Sequence, residues 1–146
     1  MSELARHHIS RGDRKAILET IGSVLARCDM VRFAYAHGSF VDPDLPFRDV
    51  DVAVYLDEQI PPDKHLDHWM RLQVCLARVI RLPLDVHGLN QAHPGFVSEV
   101  SKGRVVFSRD DEEMFDFVER MRLRHMDFSV IQQQMIRDLL TSRVDA

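Results

Sequence analysis

The stretch that most restricts the fold runs from Val31 to Leu56. It holds two short apolar runs, VRFAYA at 31–36 and VDVAVYL at 50–56, rich in β-branched and aromatic residues and too short for ordinary helices. The first stops at Gly38. Between them, VDPDLPFR carries two prolines and two aspartates, which makes it a turn-rich loop and not a helix. The second run alternates poorly, so it reads as a strand buried on both faces. Yet Asp49 and Asp51 open it, two carboxylates beside a segment that otherwise belongs in a core.

Helical periodicity surrounds these strands. Residues 13–28 place Ile17, Ile21, Val24, Leu25 and Cys28 on one stripe, with Asp13 available as a cap. PPDK at 61–64 starts a second helix in which Leu66, Met70, Val74, Ala77 and Ile80 recur at helical spacing. PLDVHGL (83–89) is a third strand ending at Gly88, HPGFVSEVSKG a short helix ended by Gly103, and RVVFS a brief fourth strand. From residue 110 the chain reads as helix almost to its end, with an acidic run suited to the helix N-terminus. Met114, Phe117, Val118, Met121 and His125 form its first apolar stripe; Ile131, Met135 and Leu139 continue it. Strands alternating with helices predict a single α/β (α+β) domain over 1–146, with a small mixed sheet flanked by helices. Its core spans about 13–126, and 127–146 is a C-terminal helical extension that offers a surface for a homodimer or hetero-oligomer.

The 146 residues suffice for one real core. A net charge of −4 argues against direct nucleic-acid binding. Cys28 and Cys75, with no regular spacing, read as small buried hydrophobes in a reducing compartment. The N-terminal MSELARHHISRGDRK lacks an apolar core of signal-peptide length, and nothing approaches the apolar length of a membrane span, so a cytoplasmic location is expected.

Residues two apart on a strand share a face, so Asp49 and Asp51 are expected on one side. Carboxylates held that close repel, and a divalent cation removes the conflict. Mg²⁺ is hard, prefers oxygen and is held by one or two carboxylates plus substrate phosphates. Asp85 stands in the same relation to the third strand. If the strands are neighbours, three carboxylates meet, enough for two ions roughly 3.5–4 Å apart, as in two-metal phosphoryl transfer. Gly38 lets backbone approach a ligand, and the Ser39 hydroxyl and N–H are placed to hold phosphate.

Gly38-Ser39, nine residues, then Asp49-Val50-Asp51-Val52 resembles the signature of the nucleotidyltransferase superfamily, whose DNA polymerase beta-like fold it implies. Asp85, in PLDVHGLN, resembles the third catalytic aspartate. Over roughly 15–125 the chain looks most like the minimal nucleotidyltransferases, in particular the MntA-type antitoxins paired with HEPN-domain toxins. The resemblance implies a metal-dependent, type VII-like antitoxin. It would transfer AMP from ATP to a tyrosine of the partner HEPN toxin, a ribonuclease, and so silence it. By motif position Asp49, Asp51 and Asp85 would be catalytic and bind Mg²⁺, two ions in all, with Asp85 helping to deprotonate the attacking hydroxyl. Gly38 and Ser39 would bind nucleotide phosphate. The alternatives are a small-molecule, aminoglycoside-like nucleotidyltransferase and a non-catalytic binding antitoxin.

His37 stands where the family usually has an apolar residue, and Arg48 where a serine is common. His37 reads first as a strand-end histidine, and Arg48 adds positive charge near a polyanion. His87, two residues past Asp85, points toward the same cleft in a supporting role. His65 and His68 find no third ligand of convincing spacing, and His7-His8 is a terminal pair.

Overall fold

The computed structural model describes residues 10–144, so His7 and His8 lie outside the described residues. Helix α1 (Arg11–Ala26) leads into β1 (Val31–His37), a single 3₁₀ turn at Ser39–Val41 and β2 (Val50–Leu56). Then come α2 (Pro62–Ile80), β3 (Leu84–Gly88), α3 (Pro94–Val100), β4 (Arg104–Ser108) and the long α4 (Asp111–Val144). The four strands form one mixed sheet in the order β3-β2-β1-β4. β1 is antiparallel to both β2 and β4, whereas β2 and β3 run parallel, joined by the crossover helix α2. Among the described residues no helix is long and apolar enough to cross a membrane.

Helices cover the sheet on both faces. Ile21 and Leu25 of α1 with Leu72 and Leu76 of α2 pack against Ala34, Ala36, Val50, Val52, Val54 and Leu84. On the opposite face Phe33, Tyr35, Ala53 and Tyr55 meet Val97 and Val100 of α3 and Met114, Phe117, Val118 and Met121 of α4. Double coverage explains the weak alternation of β2, whose odd and even residues serve different cores.

Three expectations shift. The cap of α1 is Ser10, whose Oγ accepts the backbone N–H of Asp13 at 3.2 Å; Asp13 is the third helical residue and not the cap. On α2, Leu66, Met70 and Val74 are 65, 61 and 51% exposed, and the helix instead buries His65, Leu72 and Leu76. The two stripes lie about 100° apart on one helix, a single residue's rotation. Cys75 shares the outer face and is exposed, not buried, while Cys28 is partly covered. Gly22, an anomaly inside an apolar stripe, is where α1 crosses β4, and a Cβ there would run into the Val106 carbonyl oxygen.

Candidate active site

Asp51 is the second residue of β2. Its register partners are His37 on antiparallel β1 and Asp85 on parallel β3. Register partners on adjacent strands project to one face, so an imidazole and two carboxylates stand in a row across three strands. His87, paired with Ala53 and two residues beyond Asp85, shares that face, and its Nε2 lies 3.4 Å from Asp51 Oδ1. Ligand atoms of Asp51, Asp85 and His87 all fall within 4.8 Å of one another. Two hard oxygen donors and one imidazole at that spacing fit a shared divalent cation.

The Gly38-Ser39 turn is built against this row. Gly38 adopts φ 80°, ψ −161°, a region that essentially only glycine occupies. A Cβ on it would stand 2.8 Å from Asp51 Oδ2. Ser39 opens the 3₁₀ turn and lines, with Leu45, Pro46, Arg48, Asp49 and Asp51, a cavity of about 400 Å³. Asp49 is not part of the strand. It sits in a bend just before Val50, whose N–H is the first to pair toward β3, donating to the Pro83 carbonyl at 2.9 Å. Of the other four residues expected from the sequence, Asp85 meets Asp51 by strand register and Gly38 by close approach, while Ser39 and Asp49 line one cavity with it; the close group of ligand atoms holds His87 and not Asp49.

A residue that sequence reading passed over holds the loop in place. Arg14, 3% exposed, donates through Nη1 to the carbonyls of Ser39, Phe40 and Asp42 at 3.3, 3.2 and 2.6 Å. Its Nη2 donates to Leu45 O at 2.6 Å. The guanidinium also lies over the Phe40 and Phe47 rings, 5.6 and 5.0 Å from their centroids. The loop thus turns its carbonyls toward a buried cation. The available signal was position: Arg14 lies four residues before Leu18 and seven before Ile21, so a charge occupies the apolar stripe of α1.

His37 is a strand-end histidine and also a wall of the site. Its ring lies 5.5 Å from that of His87, and Phe96 stands edge-on to both. Burial lowers the pKa of the His37 imidazole; Asp51 opposes that shift and His87 reinforces it.

Residues 19–112 match the family model described as polymerase beta, nucleotidyltransferase. The chain belongs to that family. No curated protein matches the sequence. Solved structures share the fold of this nucleotidyltransferase. A chain from the tri-AMPylated Shewanella oneidensis HEPN toxin in complex with MNT antitoxin superposes with a TM-score of 0.64 at 16% identity, covering 87% of this chain and 98% of that one. A toxin–antitoxin structure with AMP-PNP gives a TM-score of 0.64 at 17% identity, covering 84% and 98%. The toxin–antitoxin MntA-HepT gives 0.63 at 16%, covering 86% and 98%.

Proposed function

We propose that this nucleotidyltransferase is an antitoxin that transfers AMP from ATP to a tyrosine of a partner HEPN toxin ribonuclease and so neutralises it in the cytoplasm. The observation that carries the reading is the register pairing of Asp51 with Asp85 beside a glycine turn built against Asp51. The structural neighbours add support, since one of them pairs an MNT antitoxin with an AMPylated HEPN toxin.

In the proposed reaction the acceptor hydroxyl oxygen attacks the α-phosphorus of ATP. The bond from that phosphorus to the bridging oxygen breaks, pyrophosphate leaves, and the product is a tyrosyl-AMP phosphodiester. Ser39 and the backbone of the Gly38 turn hold phosphate oxygens in the cavity, where Arg48 contributes positive charge. Asp49, Asp51 and Asp85 would hold a divalent cation, which would offset the charge of the triphosphate and of the leaving pyrophosphate. Asp85 takes the proton of the acceptor hydroxyl. Arg14 acts through the loop carbonyls and keeps the Ser39 turn in position.

ATP labelled at the α-phosphate and a lysate of the protein's own cells, with Mg²⁺ and in parallel with Mn²⁺, test this, with Asp49→Asn beside the unmutated chain. Label on one protein band, absent with Asp49→Asn, is the expected result. Label confined to small molecules would redirect the assignment to a small-molecule acceptor. Full neutralisation by Asp49→Asn without any transfer would refute the catalytic account.

A further inference from the structure

The row around Asp51 contains more than carboxylates. His87 Nε2 is 3.4 Å from Asp51 Oδ1, and its ligand atom joins those of Asp51 and Asp85 within 4.8 Å. Both rings that face this cluster, His37 and His87, are backed by Phe96, with centroids 5.8 and 5.9 Å away. His37 Nε2 is buried without a hydrogen-bond partner among the described residues.

We infer that His87 is a metal ligand alongside Asp51 and Asp85, and that this nitrogen makes the site select Mn²⁺ over Mg²⁺. The selection follows from donor chemistry. Mg²⁺ favours an all-oxygen shell and gives up water reluctantly. Carboxylates suit Mg²⁺ and Mn²⁺ alike, whereas an imidazole nitrogen is a poorer ligand for hard Mg²⁺ than for a first-row transition ion, Mn²⁺ being the hardest of these. Mn²⁺ accepts both donor types, so one histidine among two carboxylates moves the preference toward it. The catalytic use of the ion rests on the function proposed above; its binding does not.

The test reads the metal directly. Pulsed electron paramagnetic resonance on the full chain loaded with Mn²⁺ alone should show nitrogen hyperfine coupling from one bound imidazole. That coupling should vanish in His87→Ala and persist in His37→Phe. Calorimetric titration should show Mn²⁺ affinity falling about tenfold or more in His87→Ala, with Mg²⁺ affinity nearly unchanged. Absence of nitrogen coupling in the unmutated protein would overturn the assignment and leave His87 as a hydrogen-bond partner of Asp51. An equal loss for both ions would overturn the selectivity, and loss of coupling in His37→Phe alone would transfer the ligand role to His37. Neither nucleotide nor partner takes part in the measurement, so a protein unable to transfer AMP would give the same nitrogen signal.

Discussion

Gly38 meets two requirements at once. Its dihedral angles exclude side-chain-bearing residues, and the space where a Cβ would go is occupied by the Asp51 carboxylate. Gly38→Ala should therefore destabilise the fold by about 1–3 kcal/mol in urea unfolding and displace Asp51, removing label transfer even where the protein stays folded. A variant with unchanged midpoint and full transfer would show that the turn has another conformation open to it. The two tyrosines of the chain give a pH dependence. Burial raises the pKa of both, and that of Tyr55 goes to about 12 because its hydroxyl also donates to Glu58 at 2.9 Å. In the unfolded chain both phenols ionise near 10. The stability they supply is thus complete below pH 10 and is lost as pH climbs toward 12. Phenolate absorbance should rise only above pH 10, together with loss of circular dichroism; a transition centred on 10 with the dichroism intact would contradict it.

Where β3 stops at Gly88, β2 still has backbone to satisfy, and a side chain completes the ladder. Asn90 Oδ1 accepts the Leu56 N–H at 2.8 Å while its Nδ2 donates to the Leu56 carbonyl at 2.9 Å, an amide standing in for one more peptide. Leu56 is fully buried, so Asn90→Ala leaves both groups without partners and should cost about 1–3 kcal/mol, measured as a lower urea midpoint. How far the elements were legible in the sequence depends on what each local pattern can encode. β2 and β4 fall at 50–56 and 104–108 as expected, because prolines, glycines and charges bound their apolar runs. The orientation of α2 was not legible. Periodicity reveals a stripe, but Leu66-Met70-Val74 and His65-Leu72-Leu76 are both helical stripes, and the sheet chooses the one containing a histidine. His65 is tolerated there because its Nε2 pairs with the Ile60 carbonyl at 3.0 Å. Asp51 and Asp85 were recognisable as a pair only if their strands were neighbours, and the parallel crossover supplies that. The role of Arg14 was not legible, although its place in the apolar stripe of α1 was a signal, because the carbonyls it binds leave no trace in residue types.

At the scale of the whole molecule, α4 outgrows the body it packs on. Its 34 residues span about 51 Å at 1.5 Å per residue. Arg32 clamps its first turn through a two-pronged pair with Glu113, with a closest distance of 2.8 Å, and its buried face ends at Met121. Beyond that point Met126, Ile131, Met135 and Leu139 are all more than half exposed. Apolar area on this scale marks an interaction surface, and the proposed function predicts the partner toxin as its occupant. Ile131→Asp with Met135→Asp should leave the melting temperature nearly unchanged and abolish co-purification of the labelled partner. Retained capture would place the interface elsewhere.

The carboxylates of Asp51 and Asp85 meet through backbone pairing of β2 with β3, and the inner face of α2 supports that pairing, with Gln73 Oε1 accepting the Val86 N–H at 3.0 Å. The outward side of that crossover, where Met70, Val74 and Val79 lie beside Arg71 and Arg78, faces away from the core. Heritable change can accumulate there, in side chains or in whole added turns, while the spacing of the two aspartates is passed on intact. A lineage of such chains can acquire new associations along this helix without relearning its chemistry.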